Sequence, residues 1–236
     1  MSNERLAKKD ENDTIGTMIN NRSSFFFLLL LTTTLIAAHF GFVWAGGSGY
    51  KLLYSSHIQE ITGTVRIDHA GTEYLGKQND VLRRGEIIQT EDGSRLFFEI
   101  GSDVRVALDE RSILVLNRLS QNDISLHLTA GRIFIFTSKT HPVTLTTLHT
   151  KETILEGALS IVNYDFQQTV SVIPFKTATE VTVRKNKSFL TSTAVNIRET
   201  DPSEITESAF NADAPSVAAF YDWAFEKTGF RNFEIF

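Results

Sequence analysis

From Ile61 onward the chain alternates apolar and polar residues with a period of two, and this pattern constrains the fold more than any other feature. Val104, Val106 and Leu108 interleave with Asp103, Arg105 and Ala107; Ile124, Leu126 and Leu128 interleave with Asp123, Ser125, His127 and Thr129. Successive side chains of a strand point to opposite faces, so these segments read as half-buried strands. Ile133 to Phe136 is apolar at every position, which predicts a central strand covered on both faces. Val170 and Val172, then Val181 and Val183, continue the pattern, and glycines or Asx residues punctuate it at short intervals. No helical period interrupts the strands until about residue 201, which argues against an α/β enzyme fold. The expected fold is all-β: a solenoid-like or sandwich stack of short strands.

The two ends of the chain read differently. Phe25 to Trp44 carries no Asp, Glu, Lys or Arg, and twenty residues make a helix of roughly 30 Å, the thickness of a bilayer core. Arg5, Lys8, Lys9 and Arg22 precede it and only Lys51 follows closely, so a transmembrane helix here would leave the N-terminus inside. The competing reading is a signal peptide cleaved near Ala45, where small residues occupy the inspected positions. At the other end, Asp201-Pro202-Ser203-Glu204 has the layout of a capping box. A second helix start at Ala214-Pro215 leads into an aromatic stripe of Val217, Phe220, Tyr221, Ala224 and Phe225, with Gly229 as a stop. The expected organisation is therefore a cytoplasmic tail (1–24), a transmembrane helix (25–44), a juxtamembrane linker (45–60), a β-domain (61–198) and a helical C-terminal extension (199–236). The short C-terminal helices are expected to cap open edges of the β-structure.

Few residues suggest chemistry. The chain has no cysteine, which excludes disulfides and thiolate-bound metals. Its net charge of -5 offers no basic field for nucleic acid. The 6 histidines show no metal-site spacing, so no metal and no cofactor are expected. No nucleophile elbow or phosphate-cradling loop is present. Glu91-Asp92 and Asp109-Glu110 are adjacent carboxylates that could serve a glycosidase or a calcium site. Each pair flanks a turn, where acids are common for backbone reasons, and no catalytic residue is assigned.

Gly63-Thr64-Val65, Gly85-Glu86-Ile87-Ile88-Gln89-Thr90, Ser94 to Ser102, Val104 to Leu108, and Leu128-Thr129-Ala130-Gly131-Arg132-Ile133 follow one another after Ile61. In this order they resemble the FecR domain, the extracytoplasmic β-domain of regulators of iron-siderophore signalling. Gly157-Ala158-Leu159-Ser160-Ile161-Val162 meets the later strand only in part, with Ala158 where Thr is usual. Val172-Ile173-Pro174-Phe175 stands where a Val-x-x-Gly-x-Val turn is expected, which predicts irregular final turns. The match spans Ile61 to Val183 and assigns structural turn positions to Gly63, Gly85, Thr90, Asp92, Gly93, Gly101, Gly131 and Gly157. Asp92 is expected to bond its own turn and Thr90 to finish a strand.

These readings combine into one expectation: a non-enzymatic binding or scaffolding module displayed outside a bacterial inner (cytoplasmic) membrane by Phe25–Trp44. Its partner would be a protein or an envelope glycan, and not nucleic acid. The alternative keeps a transmembrane signalling role related to FecR-type sigma-factor regulators. Only about 24 residues precede the apolar run, too few for the cytoplasmic helical domain that grips a sigma factor in signalling members.

Overall fold

Strand β9 (Asp123–Thr137) is 15 residues long, and everything else is arranged around it. The computed structural model describes residues 54–138, 142–164, 168–175, 177–183 and 187–232, all within one compact unit, Lys51–Phe236. The first part of β9 pairs antiparallel with β8 (Ile113–Ser120) and parallel with β10 (Val143–Thr146). Its second part pairs with β7 (Val104–Leu108) and β12 (Gly157–Asn163).

From β8 the sheet continues through β5 (Ile87–Thr90) and β2 (Val65–His69) to β3 (Thr72–Leu75). From β10 it runs through β11 (Thr150–Ile154) and β14 (Thr179–Val183) to β15 (Lys187–Thr191). On the other side β7 leads through β6 (Arg95–Ile100) and β1 (Ser56–Thr62) to β4 (Val81–Leu82). Strand β12 leads through β13 (Thr169–Phe175) and β16 (Val195–Arg198) to β17 (Ile205–Glu207).

The result corrects the expected fold. It is one large open mixed sheet of 17 strands, neither a solenoid nor a stack of separate short-stranded layers. A solenoid stacks each repeat on its neighbour alone. Here β1 pairs with β6 and β9 with β12, each across intervening strands, and nearly all pairings are antiparallel. Leu128 to Ile133, which reads as a turn between two strands, is continuous strand. The apolar side chains of both parts merge in one core, with Ile67, Leu114 and Leu126 from one part and Phe98, Val106 and Ile135 from the other. Val172 to Phe175, where a turn is expected, lie within β13 and pair with β12 without a register shift. Pro174 is tolerated because the pairing of β13 with β16 stops at Val172, so no ladder bond is asked of it there.

The C-terminal expectation is also corrected. Among the described residues there is one α-helix, α1 (Ala218–Thr228), followed by a 3-10 turn at Phe230–Asn232. Asp201 makes the bonds of a cap, accepting from Ser203 N–H and hydroxyl, but the chain then extends into β17 instead of coiling. Helix α1 begins without a side-chain cap at Val217 and ends at Gly229 in the left-handed conformation. It covers a sheet face and not the open edges. Phe134 and Phe136 point to the face opposite Ile133 and Ile135, where they pack with Phe220, Tyr221, Phe225 and Phe230 beside the small Ala107 and Ala158. Phe134 meets Phe225 and Phe175 edge-on, at centroid distances of 5.2 and 5.5 Å, the arrangement that the ring quadrupoles favour.

The single-pass membrane localisation is corrected too. Among the described residues no helix is long and apolar enough to cross a membrane. Helix α1, at 11 residues, is about 16 Å long, about half a bilayer core. The segment Phe25–Trp44 lies outside the described residues.

Candidate functional site

The expected turn glycines sit where a side chain would be strained. Gly63, Gly85, Gly93, Gly101, Gly131 and Gly157 all have positive φ, between +63° and +111°. Thr90 finishes strand β5 with hydroxyl-to-backbone bonds, as expected, whereas Asp92 departs from the expectation. The Thr90 hydroxyl, buried at the end of β5, donates to the carbonyl of Asp109 at 2.6 Å and accepts from Ser112 N–H at 2.9 Å. It therefore joins the β5 corner to the Asp109–Ser112 corner. Asp92 does not bond its own turn; the Arg111 guanidinium grips both its oxygens, at 2.5 and 3.0 Å, and holds its carboxyl below the usual range. Thr90→Val is expected to lower stability by about 1–3 kcal/mol, because it strands a buried amide and carbonyl. Urea denaturation checks this, as a lower midpoint at unchanged slope.

These joined corners form one wall of a cleft of about 540 Å³, and the start of α1 forms the other. The wall side carries Arg95, Asp109, Glu110, Arg111 and Arg132; the helix side carries Val217, Phe220 and Trp223. Asp109 sits deepest among the acids. Arg95 Nε lies 3.3 Å from one of its oxygens and Arg132 Nη1 lies 3.2 Å from the other. Burial pushes its carboxyl up, against the pull of Arg132 and Arg95.

Arg132 lies over three aromatic rings, its guanidinium carbon 5.5 Å from the Phe220 centroid, 5.7 Å from Tyr221 and 6.0 Å from Tyr164. Burial raises the Tyr164 and Tyr221 hydroxyls to about 12, so both stay neutral at physiological pH. Tyr164 donates to the carbonyl of Glu110, and Tyr221 shares a hydrogen bond of 2.9 Å with Ser160.

The helix is fixed to the sheet by polar as well as aromatic contacts. Arg95 Nη1 donates to the carbonyl of Ala219 and Arg105 Nη1 to that of Thr228, at 3.0 and 2.6 Å. Trp223 Nε1 donates to Glu60 at 3.3 Å, and Lys227 Nζ lies 2.6 Å from the other oxygen of Glu60. That Lys227 contact, with Trp223 adding to it, holds the Glu60 carboxyl below its usual range.

The four acids flagged in the sequence end in different places. Asp109 and Glu110 line the cleft; Glu91 pairs with Arg66 at 2.6 Å, and Asp92 with Arg111. Glu110 accepts from Gly93 N–H at 2.6 Å. No group of three His, Asp or Glu among the described residues is placed to hold a metal ion. Sequence reading missed Arg95, Arg132, Tyr164 and Trp223. Trp223 had a usable signal, since it falls off the apolar stripe of α1 and so had to face something polar. The arginines had none, because neighbouring strands place their partners far along the chain.

Fold and cleft together define a class: a strand-rich domain with a polar cleft walled by one helix. No known family profile matches the chain, and no curated protein does. It is similar to two solved structures, at 1.65 and 2.50 Å resolution, of a candidate anti-sigma factor from Parabacteroides distasonis ATCC 8503. Each is 12% identical with a TM-score of 0.48, over 55% of this chain and 62% of that one. The similarity thus spans less than two thirds of the length of those chains.

Proposed function

We propose that the protein is a non-enzymatic recognition module of the FecR-type regulatory kind, and that its cleft takes a neutral polyhydroxylated ligand, a glycan. One observation carries this reading: the lining is formally neutral yet dense in donors and acceptors. It holds three cations (Arg95, Arg111, Arg132) against three acids (Glu60, Asp109, Glu110), beside the rings of Tyr164, Phe220 and Trp223. A sugar offers hydroxyls to such paired charges and flat C–H faces to such rings, without a charge of its own to desolvate. The cleft volume lies within the roughly 300–1,000 Å³ of small-molecule sites.

Catalysis is disfavoured because every acid is already engaged. Both oxygens of Asp109 are held by guanidinium groups, Glu60 by Lys227 and Trp223, and Glu110 by a backbone N–H. A general acid or nucleophile would first have to break such a contact.

The test uses the full chain carrying Trp44→Phe, so that Trp223 is the sole tryptophan reporter of the 2 present. It is titrated with a panel of soluble neutral oligosaccharides while new reducing ends are assayed. The expected result is a saturable emission shift with at least one oligosaccharide and no new reducing ends. An unmoved emission across the panel overturns the glycan reading. Reducing ends that disappear in Asp109→Asn overturn the non-enzymatic one.

A further inference from the structure

Strand β1 carries one residue more than its partner β6 can match, and the surplus residue decides where Glu60 points. Ile58 pairs with Phe98 and Glu60 with Phe97, so Gln59 is left over as a bulge. Ile58 faces the main core, and strict alternation would send Glu60, two positions on, to the same face. The bulge turns it over. Phe97, the partner of Glu60, also pairs with Ala107, which belongs to the aromatic layer under α1. Ile61 then returns to the main core opposite Leu96. Gln59 is itself tied down, its amide donating to Glu99 at 3.1 Å. Bulges re-aim side chains in this way and are frequent beside functional sites.

The re-aimed carboxylate serves one face of the helix. Trp223 and Lys227 stand four residues apart on α1, about one turn. Glu60 gives one oxygen to each: the Trp223 indole N–H donates at 3.3 Å, and the Lys227 ammonium lies 2.6 Å from the other oxygen. Arg95, which pairs with Thr62 further along β1, sets its guanidinium carbon 5.5 Å from the Trp223 centroid. The indole is thus held at its N–H and over its ring by residues of two paired strands, and all three side chains line the cleft. Lys227 alone would pin the helix; the indole bond fixes, in addition, the orientation of the ring. A ring fixed in advance loses little freedom when a ligand settles against it.

Building on the glycan reading of the cleft, we infer that Trp223 is the platform on which a sugar ring stacks, and that Glu60, re-aimed by the bulge at Gln59, is the positioning residue that orients it. The ligand class is a neutral pyranose oligosaccharide, whose C–H faces pack on the indole. Glu60 acts on affinity through the indole and not by touching the sugar.

The full chain is titrated by calorimetry with three neutral hexasaccharides, of β-linked glucose, α-linked glucose and β-linked N-acetylglucosamine. For a hexasaccharide that binds, Glu60→Ala should weaken affinity by about tenfold or more. Glu60→Gln, whose carbonyl still accepts from the indole, should stay within about threefold of the native chain. In a Trp223→Phe background, which keeps a ring but lacks the N–H, Glu60→Ala should cost less than about twofold more. Native affinity in Glu60→Ala, a loss in Glu60→Gln as large as in Glu60→Ala, or the same loss in both backgrounds overturns the inference. The free chain carrying Trp44→Phe gives a second readout. The near-ultraviolet circular dichroism of Trp223 should collapse in Glu60→Ala and persist in Glu60→Gln and Lys227→Met. A signal that persists in Glu60→Ala, or is lost equally in Lys227→Met, overturns the positioning role. If the native chain binds none of the three hexasaccharides, the glycan reading fails and the sugar platform with it, while the dichroism still decides whether Glu60 orients Trp223.

Discussion

Glu152→Gln is expected to stabilise the protein by roughly 3–5 kcal/mol at pH 8 and above, and by far less at pH 5. Glu152 lies in the middle of β11, facing inward with Thr150 and Ile154, and is 0% exposed. Its cross-strand neighbours are Leu145 and Val181, both fully buried. Neither carboxylate oxygen has a hydrogen-bond partner. Burial raises the acid to about 8 from an ordinary 4.5; the Thr150 hydroxyl pulls the other way without reaching hydrogen-bond geometry. The folded state therefore binds this proton more tightly than the unfolded one. Its stabilising effect is complete below about 4.5, fades as pH rises, and is gone once pH passes about 8.

Native chain and Glu152→Gln are compared by urea unfolding at pH 5, 7 and 9. The native curve should fall across that range relative to the variant, whose amide cannot ionise. Parallel curves would mean that Glu152 finds a partner or water that the fold does not provide. The cleft takes no residue from β10, β11 or β14, so the variant should leave its ligand binding unaltered.

Much of the layering was legible in the sequence where a residue's own neighbours decide its face. Ile133 to Phe136 reads as apolar on both sides, and the structure divides it that way: Ile133 and Ile135 to the main core, Phe134 and Phe136 to the aromatic layer under α1. Gly85 and Gly93 were legible because positive φ at a tight turn is a local demand, met by glycine at low cost. Strand partnership was not legible. Gly and Asx residues mark where a strand ends but not which strand it meets, so a solenoid and the observed mixed sheet share the same corners.

The cleft failed to show for the same reason. Asp109 is held by Arg95 and Arg132, and Trp223 bonds to Glu60 from the far end of the chain. Asp92 was assigned to its own turn on a local rule, and a tertiary contact with Arg111 overrode it. The capping box at Asp201 formed its local bonds and still lost to the edge of β16, which draws the next residues into β17.

Gly131 is where local and tertiary demands coincide, and its substitution should be the most damaging single methyl in the protein. At Gly131 β9 stops pairing with β8, whose last partner is Ala130, and starts pairing with β12 through Asn163. The bend needs a φ of +104°, which L side chains rarely adopt, and Ser112 crosses directly over it. A Cβ at Gly131 would lie 2.1 Å from Ser112 Oγ and 2.4 Å from Ser112 Cα. Trimming Ser112 gives no relief, because the Cα remains. Ser112 cannot retreat either: its hydroxyl accepts from Arg132 N–H at 3.0 Å, and its own N–H is held by Thr90.

Gly131→Ala is therefore expected to cost about 4 kcal/mol or more, combining backbone strain with a clash that must push two strands apart. Gly85→Ala is the control. It shares the positive φ, at +87°, but a Cβ there would meet nothing within 4 Å, so only the strain remains, about 1–2 kcal/mol. Paired denaturation curves separate the two effects. If both variants lose the same stability, the close crossing of Ser112 over β9 contributes nothing, and the bend at Gly131 is held by dihedral preference alone.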